Sequence, residues 1–265
     1  MNRYSLYVPG RSVIHLLDPR TKLAGLGLSF VFVLLFNDPR YLAVVLAVTL
    51  GAALLSGPAA RRLFGFSGVL LPVLLATFIM WPLFEQSGRP LFTWHFLRIT
   101  DIGLLFALAM GQRIIIPSIV ALILFVTTPR RDVVAGLVAI GLPYQVGFGI
   151  TIAFGFIPLL VGIGQTIVEA QRARALEIAR GSIGARLRKS VSLIVPLMIT
   201  AMGSVQNLAY SMDSRAYGAS RRRTALHPLH LAQRDRTLLV LGGVLLVAAV
   251  ALRLSGHGAI IHGRL

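Results

Sequence analysis

The sequence predicts an all-α, polytopic membrane protein with about five transmembrane helices plus long cytoplasmic helices. Three observations carry that prediction. Hydrophobic residues make up 56% of the 265 residues and charged ones only 13%, against about one quarter charged in a soluble domain. Long uncharged runs punctuate the chain, and basic loops alternate with neutral ones. The net charge of +17, from 26 Lys+Arg against 9 Asp+Glu, does not point to nucleic acid, because such a binder needs a large polar surface to carry its cations. Cysteine is absent, which excludes disulfides, thiolate metal sites and cysteine nucleophiles but leaves the compartment undecided.

The uncharged runs are Leu23–Asn37, Tyr41–Ala60, Leu63–Phe84, Val133–Val168, Ser190–Met212 and Thr237–Leu252, with Ile102–Thr128 broken only by Gln112 and Arg113. Crossing roughly 30 Å of hydrocarbon takes about 20 apolar residues, so the first run is slightly short. A cleaved signal peptide is not expected, because that run starts late and is followed by Asn37-Asp38-Pro39 rather than small residues. Pro72, Pro82, Pro117 and Pro196 are expected to bend the helices that contain them.

Orientation follows from the loops. The N-terminal arm carries Arg3, Arg11, Arg20 and Lys22; Arg61 and Arg62 follow the second span; Arg130 and Arg131 follow the fourth span, Ile102–Thr128. The intervening loops balance Asp38 against Arg40, and Glu85 and Asp101 against Arg89 and Arg98. The positive-inside rule then places the N-terminus in the cytoplasm and returns the chain there near Pro129. Residues 165–236 hold 12 further cations against four acids, so that stretch is also expected inside. Val133–Val168 must therefore cross an even number of times. Its turn at Gly141-Leu142-Pro143 leaves only eight residues ahead of it, too few for a membrane hairpin. Zero crossings is the preferred solution. It divides the chain into a four-span membrane domain over 1–128, a cytoplasmic helical domain over 129–236, and a last span with its tail over 237–265, the tail outside. A seven-span alternative sends Tyr144–Gly164 out and Ser190–Met212 back, at the cost of placing Arg172 to Lys189 on the outer face. No internal repeat supports an inverted-repeat transporter.

Two segments end in an arginine at a helix terminus. In Val168–Gly181, Glu169 and Arg172, and Glu177 and Arg180, are spaced to share one helix side. Gly181 suits the residue just past the end, and Arg180 complements the helix dipole. The plain reading is a well-capped surface helix. Met212–Gly218 ends a second long helical run in the same way, with Arg215 before a small residue. Exposed arginines at two helix ends suit acidic grooves of a cytosolic partner, since the guanidinium pairs with carboxylates and carbonyls in a fixed fork. Arg221-Arg222-Arg223 suits anionic lipid headgroups equally well.

These residues bring a family into view. The chain resembles the transmembrane T component, EcfT, of energy-coupling factor importers, relatives of ABC transporters that take up vitamins and metal ions. The resemblance rests on Ile14-His15-Leu16-Leu17-Asp18-Pro19-Arg20-Thr21-Lys22, Thr127-Thr128-Pro129-Arg130, Gly141-Leu142-Pro143 and Phe156-Ile157-Pro158. Most specific are Ala179-Arg180-Gly181 and Ser214-Arg215-Ala216, which match the family's two Ala-Arg-Gly motifs, the second with Ser for Ala and Ala for Gly. The resemblance implies that 129–236 forms coupling helices whose two motifs dock onto two ABC ATPase subunits, with Arg180 and Arg215 each reaching into one groove. It also implies a separate substrate-binding S component held by the membrane portion, and a location in the cell's inner membrane. The cargo belongs to that S component, so biotin, another vitamin, cobalt and nickel stay open. Ala24, Gly25, Gly27, Ala43, Ala47 and Gly51 would permit close helix approach to it.

Other functions are weaker. Arg113 lies within a span, where a cation costs about 2.5–3.5 kcal/mol on insertion scales, and is a functional candidate by default. The plainer reading pairs it with a bundle carbonyl or Gln112. A self-contained secondary carrier or channel would need several such groups, and the proposed spans offer almost none besides Gln112 and Arg113. His227-Pro228-Leu229-His230, and His257 with His262, lack accompanying carboxylates or thiols, so no metal site is expected and no cofactor is implied. Enzyme signatures are absent: Lys189-Ser190 follows Arg188 rather than the glycine of a phosphate-binding loop, so ATP hydrolysis would fall to partner subunits.

Overall fold

The computed structural model describes residues 7–10, 12–57, 65, 67–85, 88–94, 97–174, 183–219 and 231–255. They form helices α1 (Pro19–Leu35), α2 (Pro39–Leu55) and α3 (Ser67–Phe84), then strands β1 (Pro90–Trp94) and β2 (Leu97–Thr100). Helices α4 (Asp101–Thr127), α5 (Arg130–Ile140), α6 (Tyr144–Ala173), α7 (Ile183–Asp213) and α8 (Gln233–Leu254) follow. The fold is an all-α, polytopic membrane protein. Among the described residues a short antiparallel hairpin, β1–β2, between α3 and α4 is added to the sequence expectation.

The helices start where the local chemistry dictates. Asp18 and Asp38 each accept a backbone N–H two residues on, from Arg20 at 2.8 Å and Arg40 at 2.9 Å, and a proline follows each as the first helical residue. Both features favour a helix N-terminus. At α4, Thr100 accepts from the Gly103 N–H at 3.1 Å while its hydroxyl donates to the Glu85 carbonyl at 3.2 Å. Pro72, Pro82, Pro117, Pro158 and Pro196 all lie inside continuous helices.

The chain divides into two compact units. The first comprises Met1–Tyr144 and Leu229–Leu265. Here α4, about 40 Å long by its 27 residues, packs against α1, α2 and α3, and α1 also packs against α5 and α8. Val33, Phe36, Leu42, Ala109, Ile116 and Ala249 make the main core, and Ile14, Ala53 and Ile123 a second cluster. Gly111 lets Phe78 approach α4, and Gly136 lets α5 lie against Pro19 and Leu23. By contrast Gly25, Gly27 and Gly51 face open space, and Gly27, Ala43 and Ala47 are exposed. Those small residues are thus not used for packing within the described chain.

The second unit is Gln145–Pro228, built on most of α6 and on α7. The two helices run antiparallel. The start of α6 meets the chain just after α7 through the stacked rings of Phe148 and Tyr217, and its end meets α7 where the Gln171 amide donates to the Ser192 carbonyl at 3.4 Å. Among the described residues, four helical segments are long and apolar enough to cross a membrane: α4, α6, residues Ser190–Asp213 of α7, and α8; Pro39–Leu55 and Leu70–Phe84 are apolar but shorter. Apolar residues surround α4 and α8 evenly, whereas α7 gathers them towards one side.

Candidate functional site

Of the six residues expected to dock a partner, Ser214, Arg215 and Ala216 are described, while Ala179, Arg180 and Gly181 lie outside the described residues. The second motif closes α7. The Tyr217 N–H donates to the Met212 carbonyl and the Ala216 N–H to the Asp213 carbonyl, both at 3.0 Å. This crossed pair is a Schellman ending with Ala216 as its left-handed residue, at φ 53°. Glycine is the usual occupant of that position because an L side chain there crowds the next carbonyl. The substitution noted in the sequence therefore keeps the glycine geometry without the glycine. The Ser214 hydroxyl donates to the Ser211 carbonyl at 3.0 Å, tightening the last turn. Arg215 sits at the helix cap and is exposed. It stands where the helix dipole favours a cation, and its side chain can meet a carboxylate or carbonyl groove.

Sequence reasoning did not find the support beneath this terminus. The Tyr217 ring stacks on Phe148 of α6, with centroids 4.6 Å apart and planes at 27°. Nothing short of the tertiary structure pairs residues 69 positions apart. At the far end of the same unit, an open groove of about 670 Å³ is lined by Gln165, Val168, Glu169 and Arg172 of α6 and Leu193 and Leu197 of α7. Glu169 and Arg172 share this groove, as their three-residue spacing requires.

Arg113 is accounted for in the first unit. One of its terminal nitrogens donates to the Phe36 carbonyl at 3.1 Å and to the Asn37 side-chain oxygen, and the other approaches the Met110 sulfur at 3.7 Å. The arginine thus ties the α1–α2 turn to the middle of α4. Gln112 takes no part: its side-chain oxygen is buried with no hydrogen-bond partner among the described residues. Asn37, in the polar turn Asn37-Asp38-Pro39, was the legible signal for the partner.

The segments Ile14–Lys22 and Thr127–Arg130, 105 residues apart, form one junction. The Lys22 ammonium donates to the Thr128 hydroxyl at 2.9 Å and to the Thr127 carbonyl at 3.4 Å. Asp235, at the start of α8 and 1% exposed, accepts from the Asp18 N–H and the Thr21 hydroxyl, both at 3.0 Å, and from the Ala232 N–H at 3.2 Å. Lys22 stands just ahead of the apolar run. Burial pushes its ammonium down to about 8, against the opposing pull of Asp132, Asp235 and Asp18. Beside it, Ser12 donates to Nδ1 of His15, and Nε2 of His15 faces the Val8 carbonyl at 3.0 Å. The described residues hold no cluster of three or more metal-ligating side chains.

The family described as "Cobalt transport protein" matches residues 10–226. The energy-coupling factor transporter transmembrane protein EcfT of Acidaminococcus fermentans is 31% identical over 238 residues, covering 86% of this chain and 88% of that protein. The EcfT of Bacillus selenitireducens is 31% identical over 260 residues, covering 94% and 96%. That of Bacillus subtilis is 28% identical over 242 residues, covering 88% and 91%.

Proposed function

This chain belongs to the EcfT family of energy-coupling factor transporter transmembrane proteins, and from that premise we propose that it is the coupling subunit of an ABC-type importer for a vitamin or metal ion. It transmits the ATP-driven motion of two ATPase subunits to a separate S component and hydrolyses nothing itself. It resides in the cell's inner membrane, with its N-terminus and residues 129–236 in the cytoplasm. Arg180 and Arg215 each enter a groove on one ATPase, with Ala179, Gly181, Ser214 and Ala216 shaping the two termini. The unpacked small residues of α1 and α2, Gly27, Ala43 and Ala47 among them, are where an S component can approach closely. The observation that carries this reading is Arg215, exposed at the cap of a Schellman-ended helix within a chain that aligns over nearly all its length with EcfT proteins.

A self-contained carrier or channel is disfavoured, because Arg113, the charged group within a proposed span, is engaged by Phe36 and Asn37 rather than turned towards a pathway.

Co-purification tests the reading. The wild type should bring down an ATPase pair, and Arg180→Glu combined with Arg215→Glu should lose it. Absence of an ATPase from the wild-type preparation would overturn the coupling role; full retention by the double variant would overturn the docking assignment. The side of the membrane has its own probe. A Cβ at Gly184 meets nothing within 4 Å, so Gly184→Cys fits and is the sole thiol in the chain. An impermeant maleimide should leave it unlabelled in intact cells and label it after permeabilisation. Labelling in intact cells would establish the seven-span topology instead.

A further inference from the structure

Arg215 is held from two sides, and only one of them lies on its own helix. Two residues after it, Tyr217 donates its N–H to the Met212 carbonyl and stacks its ring on Phe148, in the second turn of α6. Between them lies Ala216 at φ 53°, a left-handed conformation that disfavours an L side chain. Without a glycine there, backbone preference alone holds the terminus only weakly. The ring stack offsets that cost from outside the helix. A stacked aromatic pair contributes about as much as the left-handed alanine loses.

We propose that Phe148 and Tyr217 are positioning residues for Arg215. Their stack fixes the end of α7 on the start of α6, so that Arg215 is presented in one orientation and a push on it is carried into both helices. This rests on the reading that Arg215 docks an ATPase. The physical consequence is a population effect. Losing the stack lets the terminus sample other conformations, and the apparent affinity falls by the fraction that remains competent.

The test uses the full-length chain in detergent, titrated with the ATPase pair that co-purifies with it. Phe148→Leu and Tyr217→Leu should each weaken ATPase binding about three- to tenfold. The Phe148→Leu/Tyr217→Leu double variant should be no weaker than the worse single variant, and Tyr217→Phe, which keeps the ring, should bind as the wild type does. In an Arg215→Ala background, Phe148→Leu should have no further effect, which a merely structural lesion would not reproduce. Melting temperatures separate lost binding from lost fold, and Tyr217→Leu, outside the helix proper, provides the second variant if Phe148→Leu proves unstable. Additive effects of the two leucines, wild-type binding by both, or an undiminished effect of Phe148→Leu in the Arg215→Ala background would overturn the positioning role. If Arg215→Ala alone binds as the wild type, docking at Arg215 falls and the positioning role falls with it.

Discussion

In the first unit Leu42, Ile116, Val126 and Asp235 are sealed almost completely from solvent, whereas the described residues of α7, a helix of 31 residues, include none that is buried, and α6 buries only Gly147. The first unit settles its own free energy. Proline-started helices pack round α4, an intramembrane arginine is tied to a turn, and a buried carboxylate joins the starts of α1 and α8. The second unit presents Ile194, Met198, Met202 and Val205 along α7 with three- and four-residue spacing, all exposed. Such a stripe is one face of a helix. A region that buries so little of itself draws its order from its surroundings.

That contrast can be broken by substitution. The largest effect is expected at the Asp235 junction. Asp235→Ala strands the Asp18 N–H and the Thr21 hydroxyl in a buried site, at about 1–3 kcal/mol for each unsatisfied group. Thermal melting in detergent should fall sharply, and less for Asp235→Asn, which keeps one acceptor oxygen. An unchanged melt for Asp235→Ala would mean the first unit is not held at this junction. Next comes the direct comparison of two isoleucines. Ile116→Ala, at a fully buried position of α4, should cost about 2–3 kcal/mol, towards the lower end of core truncations because lipid tails solvate apolar groups well. Ile199→Ala, at a position 69% exposed on α7, should stay within about 0.5 kcal/mol. Equal losses at the two sites would end the distinction between the units.

The smallest effect lies at the end of α7. Ala216→Gly removes the left-handed penalty and should raise protection of the Ala216 and Tyr217 amides against hydrogen exchange by about 1 kcal/mol. The global melt should barely move if this terminus opens separately from the first unit. A rise in global stability of the same size would show that the two units unfold together.

Particular residues show how far the sequence could be read. Gly141-Leu142-Pro143 marked the break between α5 and α6, and the helix-start chemistry of Asp18-Pro19 and Asp38-Pro39, though passed over in the sequence reading, is equally local, because these effects act within a turn of chain. Arg113 announced itself by its cost in a span, and a bundle carbonyl or Gln112 was the expected partner; the Phe36 carbonyl fills that place and the Gln112 oxygen does not. Arg215 was legible as a docking candidate by its motif. Asp235 was passed over as one acid among arginines, since its weight comes from burial against residues more than 200 positions away. The β1–β2 hairpin was missed because a short loop strand carries no run long enough to stand out from its flanks.

By itself the sequence determined the solvent and the local grammar: apolar helices long enough for lipid, their starts and stops, and cations gathered in alternate loops. These follow from composition and from interactions a few residues in range. Only the tertiary structure decided which distant groups share a site: Lys22 with Thr128, Asp235 with Thr21, Arg113 with Asn37, and Phe148 with Tyr217. The reason is physical. A helix's own pattern says which face must be covered, but apolar faces are interchangeable as partners, and only close packing with every buried polar group satisfied selects one pairing among many.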